Sequence, residues 1–313
     1  MTRRNRYTVA CLAGHGVGPE VMAEASRALA AVSRLHGFAV DEVHVPFDGE
    51  AVSRFGHALP AATRAAYSGA DAILVAGANA TALAGVRADL DLTTTVARIR
   101  PSEGGDLNVF SPIADEAADA AVAQAFVSAS ARHGRLTSVG VDAGWRARVA
   151  AAAERHPGIS VRHLTLAEAL PILSAEPAQL DVLVTERILA EPIAGVAAER
   201  SGGAVVARGF LSERGPGVFG PTHGPAVDIA GQGVANPSGM LLAVALLLGD
   251  GLGRRAAAET LVGGVTGALS SASVTPDVSG ERPGATTREF TDVVLGLLPS
   301  SRTDFEFEVR AAT

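Results

Sequence analysis

The segment RYTVACLA-GHGVGPE, residues 6–20, sets the tightest limit on the fold. A short apolar strand runs into a glycine turn, and helix signals follow at once. Pro19 suits a first helical turn because it has no N–H to leave unpaired, and Glu20 favours the positive helix end. Val21, Met22, Ala25, Leu29 and Val32 then fall on one helical face. The alternation recurs along the chain. FAVDEVHVPF reads as a strand, and LPAATRAAYSGADAILVAGAN as a helix running into a buried strand over 72–76. DEAADAAVAQAFVSASARHG is a helix capped at Gly134, LTSVGVD a strand, and WRARVAAAAERHPG a helix. VRHLTL, a helix over 167–173 and the strand LDVLVTE follow. Such strand–helix alternation specifies an α/β protein with a largely parallel sheet.

A chain of 313 residues is long enough for two modest domains, each with its own core. The polar, glycine-rich RPSEGGD at 100–106 is a natural crossing between them. A hydrophobic content of 48% with 19% charged residues is that of an ordered globular protein. The net charge of −7 argues against a nucleic-acid surface. Cys11 is the only cysteine, which excludes an intramolecular disulfide and a cysteine-rich zinc cage and fits a reducing, cytoplasmic compartment. The basic start MTRRNRYTVACLAGHG has too short an apolar run and no cleavage-site logic for a signal peptide. MLLAVALLLG, from Met240, is about half of the ~20 residues a membrane span needs and reads as a buried helix. No membrane partner is expected.

All 26 basic residues of the Lys+Arg total are arginine, so the chain contains no lysine. That excludes Schiff-base catalysis, covalent pyridoxal phosphate, a Walker A loop and any lysine acid or base.

Two segments have the composition of ligand loops. GHGVGPE sits where an α/β fold can hold an anion on backbone amides, but its G-x-G-x-G spacing is not the dinucleotide fingerprint and equally serves a tight turn. THGPAVDIAGQGVANP, residues 222–237, brings backbone close to something flat or extended. Asp228 can accept from ribose hydroxyls, His223 can stack or donate, and Asn236 can read a base edge. The same spacing also suits a structural loop whose Asn236 or Ser238 caps the following helix.

GHGVGPEVMAEA, LPAATRAAYSGADAILVAGA, LDLTTTVARIR, LDVLVTERIL and HGPAVDIAGQGVANP occur in the order and spacing of the β-decarboxylating dehydrogenases. The chain resembles that family, typified by 3-isopropylmalate and isocitrate dehydrogenases, over nearly its whole length, and TTREFTDVVLGLL resembles the closing helix. The resemblance implies an isopropylmalate-dehydrogenase-like fold with two α/β domains flanking a cleft. Residues 1–100 with 204–313 would form the large, cofactor-binding domain, and 101–203 the small domain for dimerisation and substrate. It further implies a homodimer sharing active sites, a small-molecule substrate, and NAD or NADP bound on the loop. In this sequence His223, Gly224, Ala226, Asp228, Ile229, Ala230 and Asn236 match the cofactor-loop motif.

The catalytic motifs match less well. The family's lysine acid falls at Val141 in TSVGVDAGW, with residues missing before Trp145. Its paired metal aspartates become AEPIAGV, where Glu191 keeps one carboxylate and Gly195 none, and a further aspartate falls at Ala167. The substrate arginines align with Ala97 or Arg98 and with Arg100, the third becomes Ser111, and the following tyrosine is gone. The acid opening the cofactor loop is Gly220. One monodentate carboxylate does not hold Mg²⁺, which takes octahedral oxygen ligation, so no Mg²⁺ is expected. Asp142, beside the vacated lysine position, is the candidate replacement base, with a turn-forming aspartate as the alternative; Glu191 is the second catalytic candidate, with a solvated helix residue as its alternative. Three functions fit: a divergent NAD(P)-dependent oxidoreductase working without Mg²⁺ and lysine, a non-redox enzyme using the same cleft, or an inactive nucleotide-binding homologue.

Overall fold

The structure is a computed structural model that describes residues 5–99, 107–199, 206–271, 274–279 and 284–300. The chain divides into two compact units, Met1–Leu90 with Pro216–Thr313 and Asp91–Gly215. The first unit opens with β1 (Arg6–Ala13), α1 (Gly18–Leu35), β2 (Ala39–His44), α2 (Asp48–Phe55), α3 (Ala61–Ser68), β3 (Ala72–Ala76) and α4 (Ala80–Asp89). The second contains β4 (Leu92–Ile99), β5 (Leu107–Pro112), α5 (Ala118–Ala131), β6 (Arg135–Val139), α6 (Ala143–Ala153), β7 (Ser160–Leu164), α7 (Leu166–Ala175), β8 (Val182–Thr185), α8 (Arg187–Glu199) and β9 (Val206–Ser212). The chain returns to the first unit with β10 (Gly217–Pro221), α9 (Ser238–Leu246), α10 (Arg255–Leu269), α11 (Pro276–Ser279) and α12 (Thr287–Gly296).

In the first unit the strands run β2-β1-β3-β10, all parallel. β3 is buried at every position, as a strand covered on both faces requires. α9, which holds most of the MLLAVALLLG run, is buried at every position and packs against α1 and α10, which explains an apolar run too short for a membrane. Among the described residues no helix is long and apolar enough to cross a membrane.

The second unit orders its strands β9-β4-β5-β8-β6-β7. β4 is antiparallel to β9 and β5, while β5, β8, β6 and β7 run parallel. Its core joins Ile99, Leu107 and Val109 to Leu173, Leu183 and Ile193. The division between units falls at 90/91 and 215/216, not at the expected 100/101 and 203/204. The cause is pairing: β4 ladders with β5 from Thr94↔Pro112 to Ile99↔Leu107, so β4 and β9 belong with the middle of the chain. The expected crossing at 100–106, with Arg100, lies outside the described residues.

Asp181 shows how the second unit is held just before β8. It is 1% exposed with φ +53°, and its carboxylate accepts from Arg132 Nε at 2.7 Å and lies 3.1 Å from His133 Nδ1. Its carbonyl accepts from the Asn108 amide. Asp181→Ala removes a buried carboxylate that accepts from two side chains, and is expected to lower the unfolding free energy by about 2–3 kcal/mol in urea titrations. A loss below about 1 kcal/mol would show the group to be no more than a surface pair.

Candidate functional site

β1, β3 and β10 are adjacent and parallel, so their carboxyl ends emerge on one edge, where open α/β sheets bind ligands. Three segments follow those ends: Gly14–Gly18, Gly77–Asn79, and the loop over 222–235. Backbone bonds fasten them together. Gly14 N donates to Ala76 O at 2.7 Å, His15 N to Gly77 O at 3.0 Å, and Val17 N to Pro225 O at 2.8 Å. A Cβ on Gly16 would lie 1.8 Å from Pro225 O, and one on Gly77 2.2 Å from His15 O, both at left-handed φ. The glycines of GHGVG thus serve close backbone approach. The Val17 and Gly18 amides are engaged by Pro225 O and His15 O, so of the two readings of this segment the tight turn describes its geometry.

A polar cluster lies in the same place. Asp48 begins α2, is 1% exposed and has φ +51°. Its Oδ2 lies 2.9 Å from His15 Nδ1 and accepts from the Asn79 amide at 2.9 Å, while Oδ1 accepts from Asn79 Nδ2. Asn79 in turn caps α4 through Oδ1, which accepts from Ala82 N at 2.8 Å. The buried carboxylate therefore fixes the orientation of a half-exposed imidazole at the sheet edge. Sequence reasoning missed this cluster. The Asp-Gly pair after β2 was its one local signal.

The loop after β10 divides into an open middle and a buried end. His223, Gly224 and Asp228 are exposed, and Ile229 and Ala230 are half-buried. His223 Nδ1 lies 2.9 Å from Gly224 O. Ala226 takes φ +40° in a turn closed by Ile229 N on its carbonyl at 3.3 Å. Gln232 Nε2 donates to Asp228 O, which leaves the Asp228 carboxylate out of that bond. Asn236 is different. It is buried, its Nδ2 donates to Thr275 Oγ1 at 2.8 Å, and its Oδ1 accepts from Ser238 N at 2.9 Å. The N-cap of α9 is Pro237, with no side-chain cap.

In the second unit, Arg98 is a buried cation on β4, in register with Asn108 and Ala207. Ser111 is buried on β5, its hydroxyl 2.6 Å from Thr95 Oγ1. Asp142 is the N-cap of α6, accepting from Trp145 N at 2.7 Å through Oδ1. Glu186, at the end of β8, accepts from the Val141 and Asp142 amides at 3.0 and 3.3 Å and shapes the turn. Glu191 is 73% exposed on α8, with Oε1 2.8 Å from Arg208 Nη1. Val141 and Ala167 are exposed, and nothing lies within 4 Å of a Cβ built on Gly195. The structure brings Asp142 and Glu186 together and leaves Glu191 in a separate ion pair.

Two cavities flank Asp142. One, of about 400 Å³, is lined by Gly140, Asp142, Trp145, Arg146, His163 and Glu168. The other, of about 290 Å³, is lined by Asp115, Asp142, Trp145, Arg148 and Glu186. Trp145 is buried against Gly140, where a Cβ would lie 2.2 Å from its ring. The Trp145 Nε1 and His163 Nδ1 atoms are buried without a partner.

The chain that carries this sheet edge and loop matches a known family over most of its length. The isocitrate/isopropylmalate dehydrogenase family matches residues 8–119 and 108–294, and the chain belongs to that family. It is 32% identical to a 3-isopropylmalate dehydrogenase of Synechococcus sp. (strain CC9605), over 88% of this chain and 94% of that protein. With a 3-isopropylmalate dehydrogenase of Streptococcus thermophilus it shares 28% identity, over 93% and 99% of the two chains. In fold it is similar to a β-decarboxylating dehydrogenase of Thermococcus kodakarensis, with a TM-score of 0.81 at 24% identity over 97% of both chains. It is also similar to an isocitrate dehydrogenase of Methylococcus capsulatus, with a TM-score of 0.73 at 20% identity over 93% and 99%. The family is one of oxidoreductases that use NAD or NADP on small-molecule substrates.

Burial, with repulsion from Arg146 adding to it, holds the His163 imidazole below its ordinary 6.5. Well above that pH His163 is neutral in both states and contributes no dependence on pH. Below it the unfolded chain takes up the proton first, so stability falls with pH until the folded-state value is passed. His163→Gln removes this contribution. Urea midpoints of wild type and variant are expected to keep a constant difference above about pH 6.5 and to shift in the variant's favour below it. A difference constant across the whole range would contradict the assignment.

Proposed function

We propose that the chain is a divergent NAD(P)-dependent oxidoreductase acting on a small hydroxy acid or related metabolite, without the Mg²⁺–lysine machinery of its family. One observation carries this reading. The loop over 222–235 is tied to the first turn of α1 through Pro225 O, yet presents His223, Gly224 and Asp228 to solvent at the carboxyl ends of parallel strands. In this reading Asp228 accepts from ribose hydroxyls and His223 stacks or donates. Gly224, Ala226, Ile229 and Ala230 form the close surface, and Asn236 holds the loop through Thr275. His15, backed by Asp48, adds an oriented donor or acceptor at the same edge. A bound nicotinamide cofactor supplies hydride acceptance or donation. The chain's own part is to orient the dinucleotide and the carbon that exchanges hydride with it.

On the substrate side, Asp142 is the proposed base, since its cap uses Oδ1 alone and it borders both cavities. Arg98 and Arg100 supply positive charge for an acid, and Ser111 acts with Thr95. Glu191 is available only if it leaves Arg208. The residues do not fit Mg²⁺: of the three carboxylate positions only Glu191 keeps one, and a guanidinium lies against it. The absence of lysine supports the same conclusion for the proton relay. The unit Met1–Leu90 with Pro216–Thr313 is the proposed cofactor-binding domain. Asp91–Gly215 is the proposed substrate and dimerisation domain of a homodimer. A second reading, a homologue that binds nucleotide without hydride transfer, draws support from the structural use of Asp142 and Glu191 as helix cap and ion pair.

Calorimetry with NAD⁺, NADH and NADP⁺ tests the loop. At least one is expected to bind, and Asp228→Ala to weaken it about tenfold or more through the lost ribose bonds. A screen of small hydroxy acids at the nicotinamide absorbance is expected to find turnover that survives EDTA. No dinucleotide binding would overturn the proposal, turnover lost in EDTA and restored by Mg²⁺ would overturn its Mg²⁺-free part, and binding without any turnover would favour the second reading.

A further inference from the structure

The edge pair β1–β2 carries a side-chain cluster that the dinucleotide reading does not use. In its parallel register Val9 faces Glu42 and Cys11 faces His44. Alternate residues share a face, so Cys11, Glu42 and His44 project to the same side of the sheet. Glu42 Oε2 lies 3.7 Å from Cys11 Sγ and 3.1 Å from His44 Nε2, and it also accepts from Ser26 Oγ on α1. One carboxylate oxygen is thus the meeting point of three donors. The ligand atoms of Cys11, Glu42 and His44 all lie within 4.8 Å of one another. Atoms bound to one tetrahedral zinc ion at its usual bond lengths sit roughly 3.3–3.5 Å apart, so these side chains need only small rotations to share an ion.

The surroundings suit an ion as well. Cys11 is 1% exposed, the Glu42 side chain 18% and the His44 side chain 56%, so protein closes one side and solvent reaches the other. That gives an entry path and a water for a fourth position. Sulfur, imidazole and carboxylate together select a borderline-soft ion over Mg²⁺ or Ca²⁺.

We propose that Cys11 Sγ, Glu42 Oε2 and His44 Nε2 form a site for a divalent transition ion of the Zn²⁺ class, with water as fourth ligand. On binding, the thiol proton leaves to solvent and His44 carries its ring proton on Nδ1. Ser26 stays on the Glu42 carboxylate and orients it. The ion pins the edge strand β2 to β1 and stabilises the folded chain by mass action.

The test uses the full, tag-free, reduced chain. Titration with Co²⁺ is expected to give a thiolate-to-cobalt charge-transfer band and visible tetrahedral bands that Zn²⁺ then removes. Cys11→Ser abolishes the charge-transfer band. Because Cys11 is in the core, the second arm is His44→Ala on the exposed edge, whose metal-free Tm should match wild type and whose Zn²⁺ affinity should fall about tenfold or more. Ser26→Ala is expected to weaken Zn²⁺ by roughly 10- to 100-fold. No charge-transfer band in the folded wild type, or Zn²⁺ affinity unchanged by His44→Ala, would overturn the site.

Discussion

Direct backbone contact between the turn after β1, the turn after β3 and Pro225 is the constraint on which the first unit depends. Carbonyls of Ala76, Gly77 and Pro225 accept from Gly14, His15 and Val17 at 2.7–3.0 Å. These bonds form only where side chains are absent, because a Cβ at Gly14, Gly16, Gly77 or Gly220 would fall within 2.5 Å of a backbone oxygen. The packing has two consequences. It brings His15 against the buried Asp48, and it fixes one end of the long loop to α1. The other end is fixed by Asn236, whose amide donates to Asp277 Oδ2, and by Thr287, which donates to the Gly233 and Ala235 carbonyls. A loop held at both ends and open between them is preorganised, so ordering it costs a ligand little.

The second unit uses its acids differently. Asp142 caps a helix, Glu186 holds the two amides of the turn before it, and Glu191 pairs with Arg208. Asp181 is buried between Arg132 and His133. Asp142 and Glu186 are taken up by backbone amides, while Glu191 and Asp181 meet arginine guanidinium groups, which keep their charge. Carboxylates committed in this way are poor candidates for an oxygen-rich cation shell. That is the physical content of the proposal that chemistry here proceeds without Mg²⁺.

Much of the architecture was legible because period and punctuation determine it locally. RYTVACLA, AILVA and LTSVG are strands because apolar runs end in glycine, and Gly134 takes φ +69° at the turn that ends α5. The unit boundary was misplaced by about ten residues because nothing in LTTTVARI says which strand it will pair with; that is settled by the ladder to β5. The site was legible only in part. His223 and Asp228 are exposed, which the proposed dinucleotide reading requires. The internal bonds of Asn236 depend on Thr275 and Asp277, some forty positions on. The His15–Asp48 pair spans 33 positions and has no periodic signature. Asp142, which the sequence offers as a replacement base or a turn-forming aspartate, is the N-cap of α6, a local role that uses the same carboxylate.

Hydrogen exchange read by mass spectrometry, with and without saturating NADH, bears most directly on the idea that the loop after β10 is a dinucleotide platform coupled to the turn after β1. Bound NADH should slow exchange in 222–232 and, through the Val17–Pro225 bond, in 14–18. Unchanged exchange in both segments, or protection confined to the second unit, would contradict it.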